Sequence, residues 1–211
     1  MMKKFVAFLF VSLFVISSLA PTGAAQVVLN EILADPNRDW DGDGTLDSKL
    51  DEWVEVMNVG TSAVDLTQYR ITDESAGKEF RFALSGTLAA GAVRVYKGAD
   101  VVAWQTANGV SALGLSLNNA GDKVYLYRVA GSDTSVADSY AFVTKEVVDD
   151  RSVGRLPNGT GPWVLFDALN PYTGSPPPVA TGCTPSPGQP GDCPAAVESS
   201  TWGKTKSKFS K

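Results

Sequence analysis

Apolar residues along this chain recur mostly at every second position, in short runs separated by glycine, proline and Asn/Asp clusters. Val27-Val28-Leu29-Asn30-Glu31-Ile32-Leu33 is the first such run, and Asp35-Pro36-Asn37 stops it. Trp53-Val54-Glu55-Val56-Met57-Asn58 is the second. Further strands are predicted over 64–71, around Phe80, Phe82 and Leu84, over 93–95, 123–128 and 136–143, and in short pieces over 150–156 and 162–165. In 123–128 the alternation is clean, with Val124 and Leu126 on one face. Residues 101–106 read as a single helical turn or a loop. No window repeats the i, i+3, i+4, i+7 spacing that an amphipathic helix requires. Many short strands with turn signals between them predict an all-β fold, a sandwich or barrel.

Changes in composition divide the chain into four parts. Residues 1–25 carry Lys3 and Lys4, an apolar run and then Pro21-Thr22-Gly23-Ala24-Ala25, the grammar of a signal peptide cleaved before Gln26. The apolar run is shorter than the ~20 residues that a spanning helix needs. Residues 26–172 form the predicted β-sandwich domain. Residues 173–200 are rich in proline and glycine and predict a disordered, extended linker. Residues 201–211 form a basic tail with Trp202 and Phe209.

Charge narrows the function classes. The formal net charge is −5, and removing the signal takes away two lysines, leaving 16 bases against 23 acids. Such a body repels phosphate at long range, so specific nucleic-acid recognition is not expected. The chain contains no histidine. That excludes Ser-His-Asp and Cys-His catalysis and every His-ligated zinc site. Cys183 and Cys193 are the two cysteines, and in an exported chain they predict a disulfide. Export also places the protein outside the cell or on its surface.

The chemistry concentrates between the first two strands. Residues 39–52 hold six carboxylates and one base, Lys49. Numbered as a calcium loop, Asp39, Asp41 and Asp43 take positions 1, 3 and 5, with Gly44 at the sharp turn of position 6. Thr45 offers a backbone carbonyl at position 7, and Asp47 serves position 9. Position 12 is Leu50, where a bidentate glutamate is expected, so Asp51 or Glu52 closes the loop instead. Both flanks read as strands, which excludes a helix-loop-helix EF-hand. A bare acidic turn is the alternative, but carboxylates so close raise one another's pKa values unless a cation gathers them.

Other motifs add less. Leu156-Pro157-Asn158-Gly159-Thr160-Gly161 has one glycine too many for a sortase signal. Asn30, Glu31, Glu55 and Asn58 are expected to hydrogen-bond backbone groups at strand ends. On a helix, the tail would set its two aromatics against Lys204, Lys208 and Lys211, which suits an anionic surface; a sorting tag or a frayed end are the other readings.

Several blocks together resemble the lamin tail domain, an immunoglobulin-like β-sandwich, of the type found in exported bacterial proteins. They are Val28-Leu29-Asn30-Glu31-Ile32, Asp51-Glu52-Trp53-Val54-Glu55-Val56-Met57-Asn58, Val64-Asp65-Leu66-Thr67-Gln68-Tyr69, Gly86-Thr87-Leu88-Ala89-Ala90-Gly91, Leu117-Asn118-Asn119-Ala120-Gly121-Asp122-Lys123-Val124, and the stretch from Arg151 through Trp163. Tyr69 stands where the family usually carries tryptophan. The resemblance implies a non-catalytic, adhesive or accessory habit and carries no catalytic residues across. The expected protein is an exported calcium-binding module for adhesion, scaffolding or cell-surface association. Its partner would be a cell-surface or extracellular polymer or protein, with membrane contact only through the tail. The alternative is a module binding a polyanion such as extracellular DNA or acidic polysaccharide; a hydrolase is the weakest reading.

Overall fold

The computed structural model describes residues 26–74, 80–189 and 193. The expected signal at 1–25 and the basic tail at 201–211 lie outside the described residues. In chain order the elements are β1 (Val27–Leu33), β2 (Trp53–Asn58), β3 (Val64–Asp65), β4 (Tyr69–Thr72), β5 (Phe82–Ala83), β6 (Thr87–Leu88) and β7 (Val93–Lys97). Helix α1 (Gly98–Ala107) follows, then β8 (Gly121–Ala130), β9 (Asp133–Val143), β10 (Ser152–Arg155) and β11 (Trp163–Phe166). All strand pairings between these elements are antiparallel.

One sheet runs β11-β10-β1-β2-β7, the other β5-β4-β8-β9, and β3 pairs with β6 in a small ribbon. Leu29, Ile32, Val54 and Val56 from the first sheet meet Ile71, Phe82, Val124, Leu126 and Phe142 from the second in one buried core. This is an immunoglobulin-like β-sandwich. The alternation in β8 survives as predicted: Val124 and Leu126 are buried, while Tyr125 and Tyr127 lie half-exposed on the opposite face.

The pairing of β1 with β2 contains an irregularity that sequence alternation alone does not show. Leu29 pairs with Val56 and Glu31 with Glu55, so Asn30 is an extra residue in β1. A strict period of two would put Leu29 and Ile32 on opposite faces. The bulge at Asn30 resets the phase, and both side chains enter the core. Glu31 and Glu55 then share the outer face of the sheet. Asn30 itself is buried, donating to Glu55 Oε1 at 2.6 Å and accepting from the Gly159 amide at 2.6 Å.

Three expectations change. The run over 64–71 is not one strand, because the Asp65 carboxylate accepts from the Thr67 amide and caps a 3-10 turn over Leu66–Gln68. Residues 101–106 belong to a ten-residue helix, α1, started by Asp100 Oδ2 accepting the Lys97 amide at 3.1 Å. Its buried side chains are Val101 and Gln105, one of them polar, so no apolar stripe marks it. Gln105 exchanges hydrogen bonds with the backbone of Gly114 and thereby pins the following loop.

The third change concerns the proline-rich segment, which is no free linker as far as Gln189. Asp167 accepts the amides of Tyr172, Thr181 and Gly182, and Leu165 donates to the carbonyl of Val179. The disulfide Cys183–Cys193 forms. Cys183 is buried against Val164 and Phe166, so the bridge is part of a small packed layer outside the sheet. Proline lowers the entropy lost on fixing the backbone, and the sheet supplies acceptors for the amides that remain. Together these offset the apolar surface the segment lacks.

The core assignment leads to a contrast in stability. Leu126 is fully buried and Leu46 is 50% exposed. Leu126→Ala should cost about 2–5 kcal/mol in urea unfolding, and Leu46→Ala should stay within about 0.5 kcal/mol.

Candidate metal centre

The connection from β1 to β2 carries the acidic loop, and its two ends are fixed by the pairing of Leu33 with Trp53. Asp150 anchors the entry side. It is nearly buried, accepts the Asn37 amide and the Trp40 indole N–H, and pairs with Arg38 at 2.9 Å. The exit side rests on α1: Gly98 donates to the carbonyl of Glu52 at 2.7 Å and Ala99 to that of Leu50 at 3.1 Å. A Cβ on Gly98 would stand 1.7 Å from the Lys49 carbonyl oxygen, so glycine is needed for this approach.

Asp51 holds the middle together. Its Oδ1 accepts the amides of Trp40 at 2.6 Å and Asp41 at 2.8 Å, and its Oδ2 accepts that of Asp47 at 2.8 Å. One fully buried carboxylate thus closes both arms of the loop. Glu52 points elsewhere. Its Oε2 accepts the Leu117 amide, and burial pushes its pKa up to about 8 against the pull of that amide. Neither Asp51 nor Glu52 belongs to the close group of carboxylates in the loop. Asp51 instead meets three amides of the loop and Glu52 the amide of Leu117.

What the loop does bring together is Asp39, Asp41 and Asp43. One carboxylate oxygen from each lies within 4.8 Å of the others, in an exposed or half-exposed setting. Gly42 and Gly44, with φ of 84° and 91°, supply the left-handed turns that reverse the chain between these acids. Amides inside the loop meet the carboxylates as well: Asp39 accepts Gly42 and Gly44, Asp41 accepts Asp43, and Asp43 accepts Thr45. Asp47 accepts Lys49 and Leu50 and stands outside the triad.

The electrostatics differ along the loop. The Gly44 and Gly42 amides hold Asp39 below the usual carboxylate range, and the Lys49 and Leu50 amides do the same for Asp47. Asp41 is pulled down by the Asp43 amide, but desolvation and the charges of Asp43 and Asp51 leave it raised. Asp41 therefore feels repulsion from Asp43 and Asp51, which a divalent cation would relieve. Hard carboxylate oxygens with room for water suit Ca²⁺.

Sequence spacing identified the triad but missed Asp150, Gly98 and the organising role of Asp51. Only the adjacent acids Asp149-Asp150, both at positive φ, hint at a special turn there. Removing the organiser tests its role. Asp51→Ala strands three amides and should destabilise the domain by about 3 kcal/mol, with amide exchange rising at Trp40, Asp41 and Asp47.

Among the described residues, no helix is long and apolar enough to cross a membrane. A family model described as Lamin Tail Domain matches residues 20–144, more than half of the chain. No curated protein matches it significantly.

Proposed function

Because the chain belongs to the lamin tail domain family, we propose that it is a non-catalytic β-sandwich module, stabilised by calcium, that serves adhesion, scaffolding or cell-surface association. The convergence of oxygens from Asp39, Asp41 and Asp43 within 4.8 Å carries the calcium reading. The Thr45 carbonyl and, through a bridging water, Asp47 would complete the protein's share of the ligands, with water at the remaining positions. Asp51 acts behind this set, holding the amides that shape the loop.

A non-catalytic role is supported by the chemistry available. The chain has no histidine, and the carboxylate pair Glu31 and Glu55 is buried beneath the proline-rich segment. A disulfide suits an oxidising compartment outside the cytosol, in keeping with export and with a partner that is a cell-surface or extracellular polymer or protein. The exposed loop at one end of the sandwich is a place where bound calcium would rigidify a contact surface without reaction.

Calcium at a hundred times its Kd stabilises the folded state by about 2.7 kcal/mol. For a domain of this size the melting temperature should be about 5–10 °C higher in millimolar calcium than in EGTA. Asp41→Asn combined with Asp43→Asn should abolish that difference while leaving the EGTA melting curve nearly unchanged. Coincident wild-type curves in calcium and EGTA would contradict the proposal.

A further inference from the structure

The outer face of the five-stranded sheet carries a feature that the calcium loop does not explain. Glu31 and Glu55 are direct cross-strand partners, 1% and 0% exposed. Among the described residues neither joins an ion pair; those formed are Arg38–Asp150, Arg81–Asp73 and Arg155–Asp138. Like charges directly opposite on a sheet repel, and burying two of them without a cation is costly. Both nevertheless have hydrogen-bond donors, and many of these come from the proline-rich segment. Ser186 donates its amide to Glu31 Oε1 at 3.2 Å and its hydroxyl to Glu31 Oε2 at 3.0 Å. The Gly188 amide donates to Glu55 Oε2 at 2.7 Å.

We propose that residues 179–189 form a strap whose closure over Glu31 and Glu55 takes up a proton, so that acidification tightens it and alkaline pH loosens it. A proton on Glu31 Oε2 would donate to Ser186 Oγ, the Ser186 hydroxyl giving up its own bond to that oxygen, and it removes the repulsion from Glu55. Among the described residues the surroundings offer no cation to neutralise the pair. β10 presents Ser152 and Gly154 to Glu31, and Ser152 donates its hydroxyl to it. β11 presents Phe166, whose ring edge meets Gly154 so closely that a Cβ there would lie 2.7 Å from it. β2 presents Glu55, the strap presents Ser186, and Asp167 at the base of the strap is occupied by the amides of Tyr172, Thr181 and Gly182. On Glu55 the remaining donor is Asn30.

Burial is the largest influence on Glu31 and pushes its pKa from 4.5 to about 8, with Glu55 adding to the rise and the Ser152 and Ser186 hydrogen bonds opposing it. Burial also raises Glu55. With the strap lifted, Glu31 meets water and returns toward the ordinary carboxylate range. The closed state therefore binds more protons between those two values. Closure is strongest below the open-state pKa, weakens as pH climbs toward 8, and levels off above it. Opening uncovers Glu31, Glu55, Val164 and Phe166 together, an acidic and apolar face covered in the closed state.

Amide hydrogen exchange at Ser186 and Gly188 in the full-length mature protein tests this. Rates are corrected for intrinsic pH dependence and normalised to amides of β1 and β2. Protection should fall at least about tenfold between pH 5.5 and 8.5, and the Glu31 side-chain carboxyl resonance should titrate with the same midpoint as the Ser186 amide. Glu31→Gln, which keeps the shape but not the charge, should hold the strap closed at both pH values. Protection independent of pH in the wild type, or an unchanged pH dependence in Glu31→Gln, would overturn the proposal. If Glu31→Gln does not fold, the wild-type resonances decide: coincident midpoints support the strap, and separate midpoints overturn it.

Discussion

The pairing of β1 with β2, phased by the bulge at Asn30, is the constraint on which the remaining structure depends. It sends Leu29, Ile32, Val54 and Val56 into the core, and it leaves Glu31 and Glu55 side by side on the outer face. The same pair of strands fixes both ends of the acidic loop, since that loop is their connection. Core, loop and strap are thus three consequences of one register. A slip of one residue would turn Glu55 into the core and Val54 and Val56 to the outer face.

Within that frame, carboxylates act in two distinct ways. In the loop they face water and are shaped by backbone amides, with Asp51 as the buried exception that binds three of them. On the outer face they are sealed by the proline-rich segment and satisfied by hydroxyl and amide donors. The first arrangement leaves oxygens free to converge on a cation. The second leaves protonation as the way to lose charge.

Much of the fold was legible because it rests on local pattern. Val124 and Leu126 announce β8 by alternation, and Asp35-Pro36-Asn37 ends β1 through turn chemistry. The lamin tail resemblance followed from blocks of this kind, and the family match agrees with it. The Asp39, Asp41, Asp43 spacing was equally readable, because alternate residues around a turn at Gly42 and Gly44 converge. What stayed hidden depends on long-range contact. The bulge at Asn30 is fixed by Gly159 and Glu55, far along the chain. Helix α1 buries a glutamine rather than an apolar stripe. The docking of the proline-rich segment depends on Asp167, Glu31 and Glu55, whose burial no composition reveals.

Terbium luminescence tests the central claim, that the acidic loop is a calcium site, most directly. Trp40 lies inside the loop between Asp39 and Asp41, its amide held by Asp51 and its indole by Asp150, so an ion bound by the loop would have a tryptophan within the same turn of chain. Excitation of tryptophan in the presence of terbium should give sensitised emission that calcium displaces with a stoichiometry of one, and that is lost in Asp41→Asn/Asp43→Asn. Absence of sensitised emission, or emission that calcium does not displace, would contradict the account.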